Sequence, residues 1–179
     1  MKKKFDGKKY LIIFIIASGT TVMYSLPYLK STFYDPMREA LGLDHQQLGN
    51  LISVYGILAT ILYFPGGFLA DKFSAKKLLS FSLISSGALG LYFATFPPYG
   101  MLLVIFAAWG VTCILTFWAA SMKVIRMLGD KSEQGKLFGF NEGLSGIAGV
   151  VVSFIGLYLF ETFALSLIHI SEPTRPLYI

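Results

Sequence analysis

Five apolar stretches, each about twenty residues long, alternate with short polar or basic segments along the chain. Residues 10–33, 48–70, 78–96, 101–128 and 138–160 are each long enough to cross hydrocarbon about 30 Å thick as a helix rising about 1.5 Å per residue. The pattern predicts an all-α integral membrane protein. It divides into a basic tail at 1–9, a helical bundle over 10–164 and a differently composed end at 165–179.

Polar positions inside the apolar stretches carry the next layer of information. In span one, Ser18, Thr21, Ser25 and Tyr28 recur at three- and four-residue steps and share a helical face. Such a face turns toward a water-filled cavity or toward interhelical hydrogen bonds rather than lipid. Pro27 is expected to bend the helix beside it. Span two carries Gly49, Ser53, Gly56, Thr60, Tyr63 and Gly67 in a narrow arc, a seam that permits close helix packing. Asp44 and Gln47 before it have the spacing of a capping box. The serines of span three form no single stripe, so this helix reads as peripheral support. In span four, Thr112, Thr116, Ala119, Lys123 and Arg126 fall on one face at α-helical spacing, with Trp118 rotated away. Lys123 either snorkels to the interface or faces a hydrated cavity and attracts an anionic group. Span five repeats glycine at 139, 143 and 146. It also embeds Glu142 about one turn from its start, a candidate for an ion pair with Lys123 or Arg126 or for carrying a coupling proton.

Composition agrees with the pattern. Charged residues make up 14% of the chain and apolar residues 55%, whereas a soluble domain carries about 25% charge. The net charge of +5 does not point to nucleic acid, because the lysines cluster at the ends of apolar spans. The tail, the segment with Lys72, Lys76 and Lys77, and the segment with Lys131 and Lys136 alternate with segments whose basic residues are few, Lys30 and Arg38. That asymmetry places them, and the N-terminus, in the cytoplasm. Cys113 is a lone cysteine in an apolar span and reads as a packing residue. His45 lies in a loop and His169 near the end, so no metal-ligand set or catalytic constellation stands within the spans. No cofactor, metal or enzymatic activity is expected.

The turn between spans two and three resembles the signature Gly-x-x-x-Asp-Arg-x-Gly-Arg-Lys of the major facilitator superfamily. Gly67, Asp71, Lys72 and Lys76 fall on its glycine, aspartate, first basic and last basic positions. Ser74 and Ala75 stand where the family has glycine and arginine. The resemblance implies the first five helices of a twelve-helix transporter, working by alternating access in a bacterial plasma membrane. It implies that helices one and four line the central cavity, which makes Thr21, Ser25, Tyr28, Thr112, Thr116 and Lys123 the substrate-cavity candidates. Asp71 and the following lysines would form a cytoplasmic latch with Arg126. The stretch from Trp118 onward is similar to the organophosphate–phosphate antiporter branch, where a basic residue follows five positions later, as Lys123 does. Tyr28 stands where that branch has an arginine. A small organic anion or sugar derivative is the expected solute, with membrane lipid, a coupling proton or a counter-transported anion as the other partners.

Residues 165–175 read LSLIHISEPTR, which resembles a translated sequencing adapter, so 165–179 is expected to be foreign to the native chain. The alternative to a transporter fragment is a small five-helix membrane accessory protein without transport activity.

Overall fold

The computed structural model describes the backbone of residues 7–171 and the side chains of 7–163. Lys2, Lys3 and Lys4 of the basic tail lie outside these limits, as do residues 172–179 and the side chains of 164–171. Among the described residues the chain is helical and turns, without strands. Helix α1 spans Gly7–Ser25, the short α2 Tyr34–Ala40, α3 His45–Lys72, α4 Ala75–Phe93, α5 Tyr99–Met127 and α6 Gln134–Ser171.

The local chemistry explains the boundaries. Asp44 Oδ1 accepts from Gln47 N at 2.7 Å and Gln47 Oε1 accepts from Asp44 N at 3.0 Å, so the expected capping box starts α3. Ser74 caps α4 through Lys77 N. Pro27 does more than bend span one. The α-helix stops at Ser25, and a turn and the 3-10 segment Leu29–Ser31 carry the rest, which corrects the predicted end at residue 33.

Among the described residues three helices, α3, α5 and α6, are long and apolar enough to cross a membrane. Helices α1 and α4, with 19 residues each, lie beside them, antiparallel to α3 and α5 and parallel to α6. The lysine-bearing starts of α1, α4 and α6 and the ends of α3 and α5 gather at one end, here termed the basic end.

Helix α5 is the hub. Phe106, Trp109 and Cys113 are fully buried with Leu48, Leu51 and Tyr55 of α3 and Met23 of α1. A second cluster at the basic end joins Ile13 and Ile16 to Ile125 and Leu137. Two glycines set the α3–α5 distance. A Cβ on Gly110 would stand 3.2 Å from the Tyr55 carbonyl oxygen, and one on Gly66 3.3 Å from that of Leu115. The seam predicted on Gly49, Gly56 and Gly67 is not this contact. Those three positions have nothing within 4 Å, so the packing face is rotated by one residue at its end, from Gly67 to Gly66.

The middle of α5, Val111–Trp118, is a π-helix flanked by α-helical turns. Its turns hold more residues than α turns, so a stripe drawn at α spacing drifts off its face there.

Candidate functional site

Helices α1 and α6 cross at a reciprocal hydrogen-bonded contact. Thr21 Oγ1 donates to the Ser145 carbonyl at 3.1 Å, and Ser145 Oγ donates to the Ala17 carbonyl at 3.4 Å. Beside this crossing opens a cavity of about 630 Å³. Thr20, Thr21 and Ser25 contribute hydroxyls from α1, and Ser145 and Ser153 from α6. Tyr24, Tyr28 and Trp118 contribute rings, and Glu142 a carboxylate. None of the lining residues is lysine or arginine.

The rings hold one another. Trp118 meets Tyr24 of α1 edge-on at 6.3 Å between centroids and Tyr63 of α3 at 6.4 Å. Tyr28 meets Tyr55 of α3 at 5.6 Å. Edge-to-face pairs at this separation are favourable, so three helices fix the orientation of the aromatic wall. The hydroxyls of Tyr24 and Tyr55 are buried and have no hydrogen-bond partner among the described residues.

Of the expected cavity residues, Thr21, Ser25 and Tyr28 line this cavity and Thr112, Thr116 and Lys123 do not. Thr116 Oγ1 lies 2.6 Å from Ser82 Oγ and Thr112 Oγ1 2.8 Å from Ser86 Oγ, so both threonines face α4. Ser82 and Ser86 of span three thus form a buried pair facing span four, while Ser80 is exposed and Ser85 half-buried. Lys123 Nζ donates to the Ala70 carbonyl at 2.6 Å and lies 3.8 Å from Asp71 Oδ1. It sits at the C-terminus of α3, where unpaired carbonyls and the helix dipole attract a cation.

That placement also corrects two pairings. Asp71 has Lys123 rather than Arg126 beside it, while Arg126 is exposed and its carbonyl accepts from Gln134 Nε2 at 3.0 Å. Glu142 faces the cavity and accepts from Asn141 Nδ2 at 3.2 Å, paired with neither Lys123 nor Arg126. Lys72 and Lys76 are exposed at the basic end, and Gly67 faces open space.

Sequence reasoning missed Tyr24, Trp118, Ser145 and Ser153. Tyr24 and Ser145 sit one turn from residues it did select. Trp118 closes the π segment, and no periodic signal marks where such a segment lies.

An all-helical membrane bundle with a hydroxyl- and aromatic-lined cleft at a helix crossing defines the general class, an integral membrane protein with a lateral polar cavity. Residues 10–170 match the family model of the Major Facilitator Superfamily, and the chain belongs to that superfamily, one of transporters rather than enzymes. Over 157 residues it is 38% identical to the inner membrane protein YqcE of Escherichia coli, covering 88% of this chain and 37% of that protein. It is 38% identical over 161 residues to the inner membrane protein YihN of the same organism, covering 90% and 38%. A third relative, the probable galactarate/D-glucarate transporter GarP of Escherichia coli, is 34% identical over 82 residues, covering 46% and 18%. The chain therefore spans less than two-fifths of the length of YqcE and YihN. No solved structure matches it.

Proposed function

We propose that the chain is the N-terminal part of a secondary transporter of a bacterial inner membrane, and that its cavity is one wall of the solute site. The observation that carries this reading is the hydroxyl- and aromatic-lined cleft of about 630 Å³ at the α1–α6 crossing of a Major Facilitator Superfamily chain. That volume falls among ligand pockets of about 300–1,000 Å³. A sixth helix and a second six-helix bundle closing the open side would complete the twelve-helix fold, and rocking of the two bundles would expose the site to each membrane face in turn. The basic end would face the cytoplasm, with Asp71, Lys123 and the exposed lysines at the inner closure.

The lining favours a small polyhydroxylated solute. Thr21, Ser25 and Ser145 offer hydroxyls to its oxygens, and Tyr24, Tyr28 and Trp118 offer apolar faces to its carbon skeleton. Sugar acids fit this description, and GarP is named for two of them. An acid would meet the like charge of Glu142, with no lysine or arginine on this wall to offset it. Glu142 would therefore bind a proton as the acid binds, which couples solute to proton; exchange for another anion would leave Glu142 without that part.

The test is uptake of radiolabelled galactarate and glucarate by the full-length protein in proteoliposomes, with and without an imposed pH gradient. Accumulation driven by an inside-alkaline gradient, and lost in Glu142→Gln while downhill exchange persists, is the expected result. Gradient-driven accumulation that survives Glu142→Gln removes the coupling role. Absence of flux for sugar acids and uncharged polyols alike removes the transport reading.

A further inference from the structure

We propose that Ser82 and Ser86 of α4 are positioning residues: they hold the π register of α5 that aims Trp118 into the cavity. The proposal rests in part on the transport reading above. Both serines are buried, Ser82 fully and Ser86 to 2% exposure, and neither touches the cavity. Their partners Thr116 and Thr112 are the hydroxyl residues inside the π segment.

A π-helix is rarely sustained beyond a single turn, so eight residues of it require something outside the helix to hold them. Two close contacts meet it on its α3 side, one just before the segment at Gly110 and one at its middle, where Gly66 faces the Ile114 and Leu115 carbonyls. On the α4 side the two hydroxyl pairs grip it at positions four apart. Thr116 Oγ1 also reaches the Thr112 carbonyl at 2.9 Å, and Trp109 Nε1 donates to the Ser86 carbonyl at 3.4 Å. Hydroxyls thereby reach carbonyls around the widened turns.

Relaxation to α geometry would rotate everything after the segment about the helix axis. One hydroxyl pair could follow that rotation, but two in register could not. Trp118 is the last π residue, so its ring would turn away from the edges of Tyr24 and Tyr63. Lys123, one turn further, would leave the Ala70 carbonyl. The serine pairs thus link the aromatic wall to the contact at the basic end through a single register.

The test places 5-fluorotryptophan at position 118 of the full-length protein by stop-codon suppression and reads its ¹⁹F line. Ser82→Ala and Ser86→Ala are made singly, so that each removes one pair and leaves the other. Each is expected to shift or broaden the line and to raise the KM for the hexarate of the uptake assay about fivefold to tenfold, with Vmax within about twofold. The exchange Ser82→Thr with Thr116→Ser conserves volume and the hydroxyl pair, and it is expected to restore both line and KM. A purely structural role would lower the amount of folded protein without moving the line of the folded fraction. An unmoved line in both alanine variants overturns the proposal, whatever the flux. A shifted line with no flux of the hexarate or of galactitol upholds the positioning role and sinks the transport reading instead.

Discussion

Helices α5 and α6 are similarly apolar, yet 56% of the most apolar stretch of α5 is buried and 0% of that of α6. In water this contrast would be legible, because an exposed apolar helix would be unstable. In a bilayer it is not, because lipid tails solvate leucine as well as a protein core does. What separates the two helices is polar and small-residue chemistry. Helix α5 buries Thr112, Thr116 and Ser121 and admits α3 at Gly110. The glycines of α6 at 139, 143, 146 and 149 have nothing within 4 Å, and Ile147, Val150 and Phe154 are exposed. Helix α6 thus offers a face that the described residues leave uncovered.

The contrast breaks hardest at glycine. Gly110→Leu drives a side chain into the α3 backbone and is expected to cost about 3 kcal/mol, enough to remove most folded protein. A Cβ on Gly149 has nothing within 4 Å among the described residues, so Gly149→Leu is expected to cost under about 1 kcal/mol. Melting of both variants in the full-length protein, followed by size-exclusion chromatography in detergent, checks the difference. Equal losses would mean that α6 is packed as tightly as α5 by residues beyond those described.

Phenylalanine gives the next largest contrast. Phe106 is fully buried, and Phe106→Ala is expected to cost about 3 kcal/mol through the cavity it leaves. Phe154 is 69% exposed, and Phe154→Ala is expected to stay within about 0.5 kcal/mol. The same melting assay reads both. A costly Phe154→Ala would again reveal a covered α6 face.

The helices themselves were legible, because length, apolarity and caps such as Asp44–Gln47 are local signals. The site was legible where the helix is regular. Thr21, Ser25 and Tyr28 were read at α spacing or across the short turn after α1, and they do line the cavity. Thr112, Thr116 and Lys123 were read through a segment that turns out to be π-helical, and they fall on other neighbours. Ser82 and Ser86 looked scattered because their meaning lies in a partner helix. Glu142 and Lys123 looked paired because antiparallel neighbours bring opposite charges near in sequence terms, but they leave α6 and α5 toward different sides.

Lys123 supplies a smaller effect that sharpens the account of α5. Its ammonium satisfies the Ala70 carbonyl at the end of α3. Lys123→Met keeps the aliphatic stem, so the expected loss of about 1–2 kcal/mol comes from the charge and the hydrogen bond. Solute KM is expected to stay within about twofold, because Lys123 does not line the cavity. A KM raised tenfold or more with stability intact would return Lys123 to the solute site.

The smallest effect concerns how α6 is tied to the rest. At the basic end Lys9 Nζ lies 2.7 Å from Glu133 Oε2, which joins the first turn of α1 to the segment entering α6. The pair is more sheltered than a surface bridge, with side-chain exposures of 14% and 28%. Gly129 lies against it: a Cβ there would stand 2.9 Å from Glu133 Oε2 and 3.0 Å from Lys9 Nζ. Lys9→Gln is therefore expected to cost about 0.5–1 kcal/mol at low salt. Screening at 1 M salt, where the Debye length is about 3 Å, is expected to shrink the difference from the parent protein without abolishing it. If the difference is the same at both salt concentrations, Lys9 holds α6 through its packed stem rather than its charge, and the tie belongs with the apolar cluster of Ile13, Ile125 and Leu137.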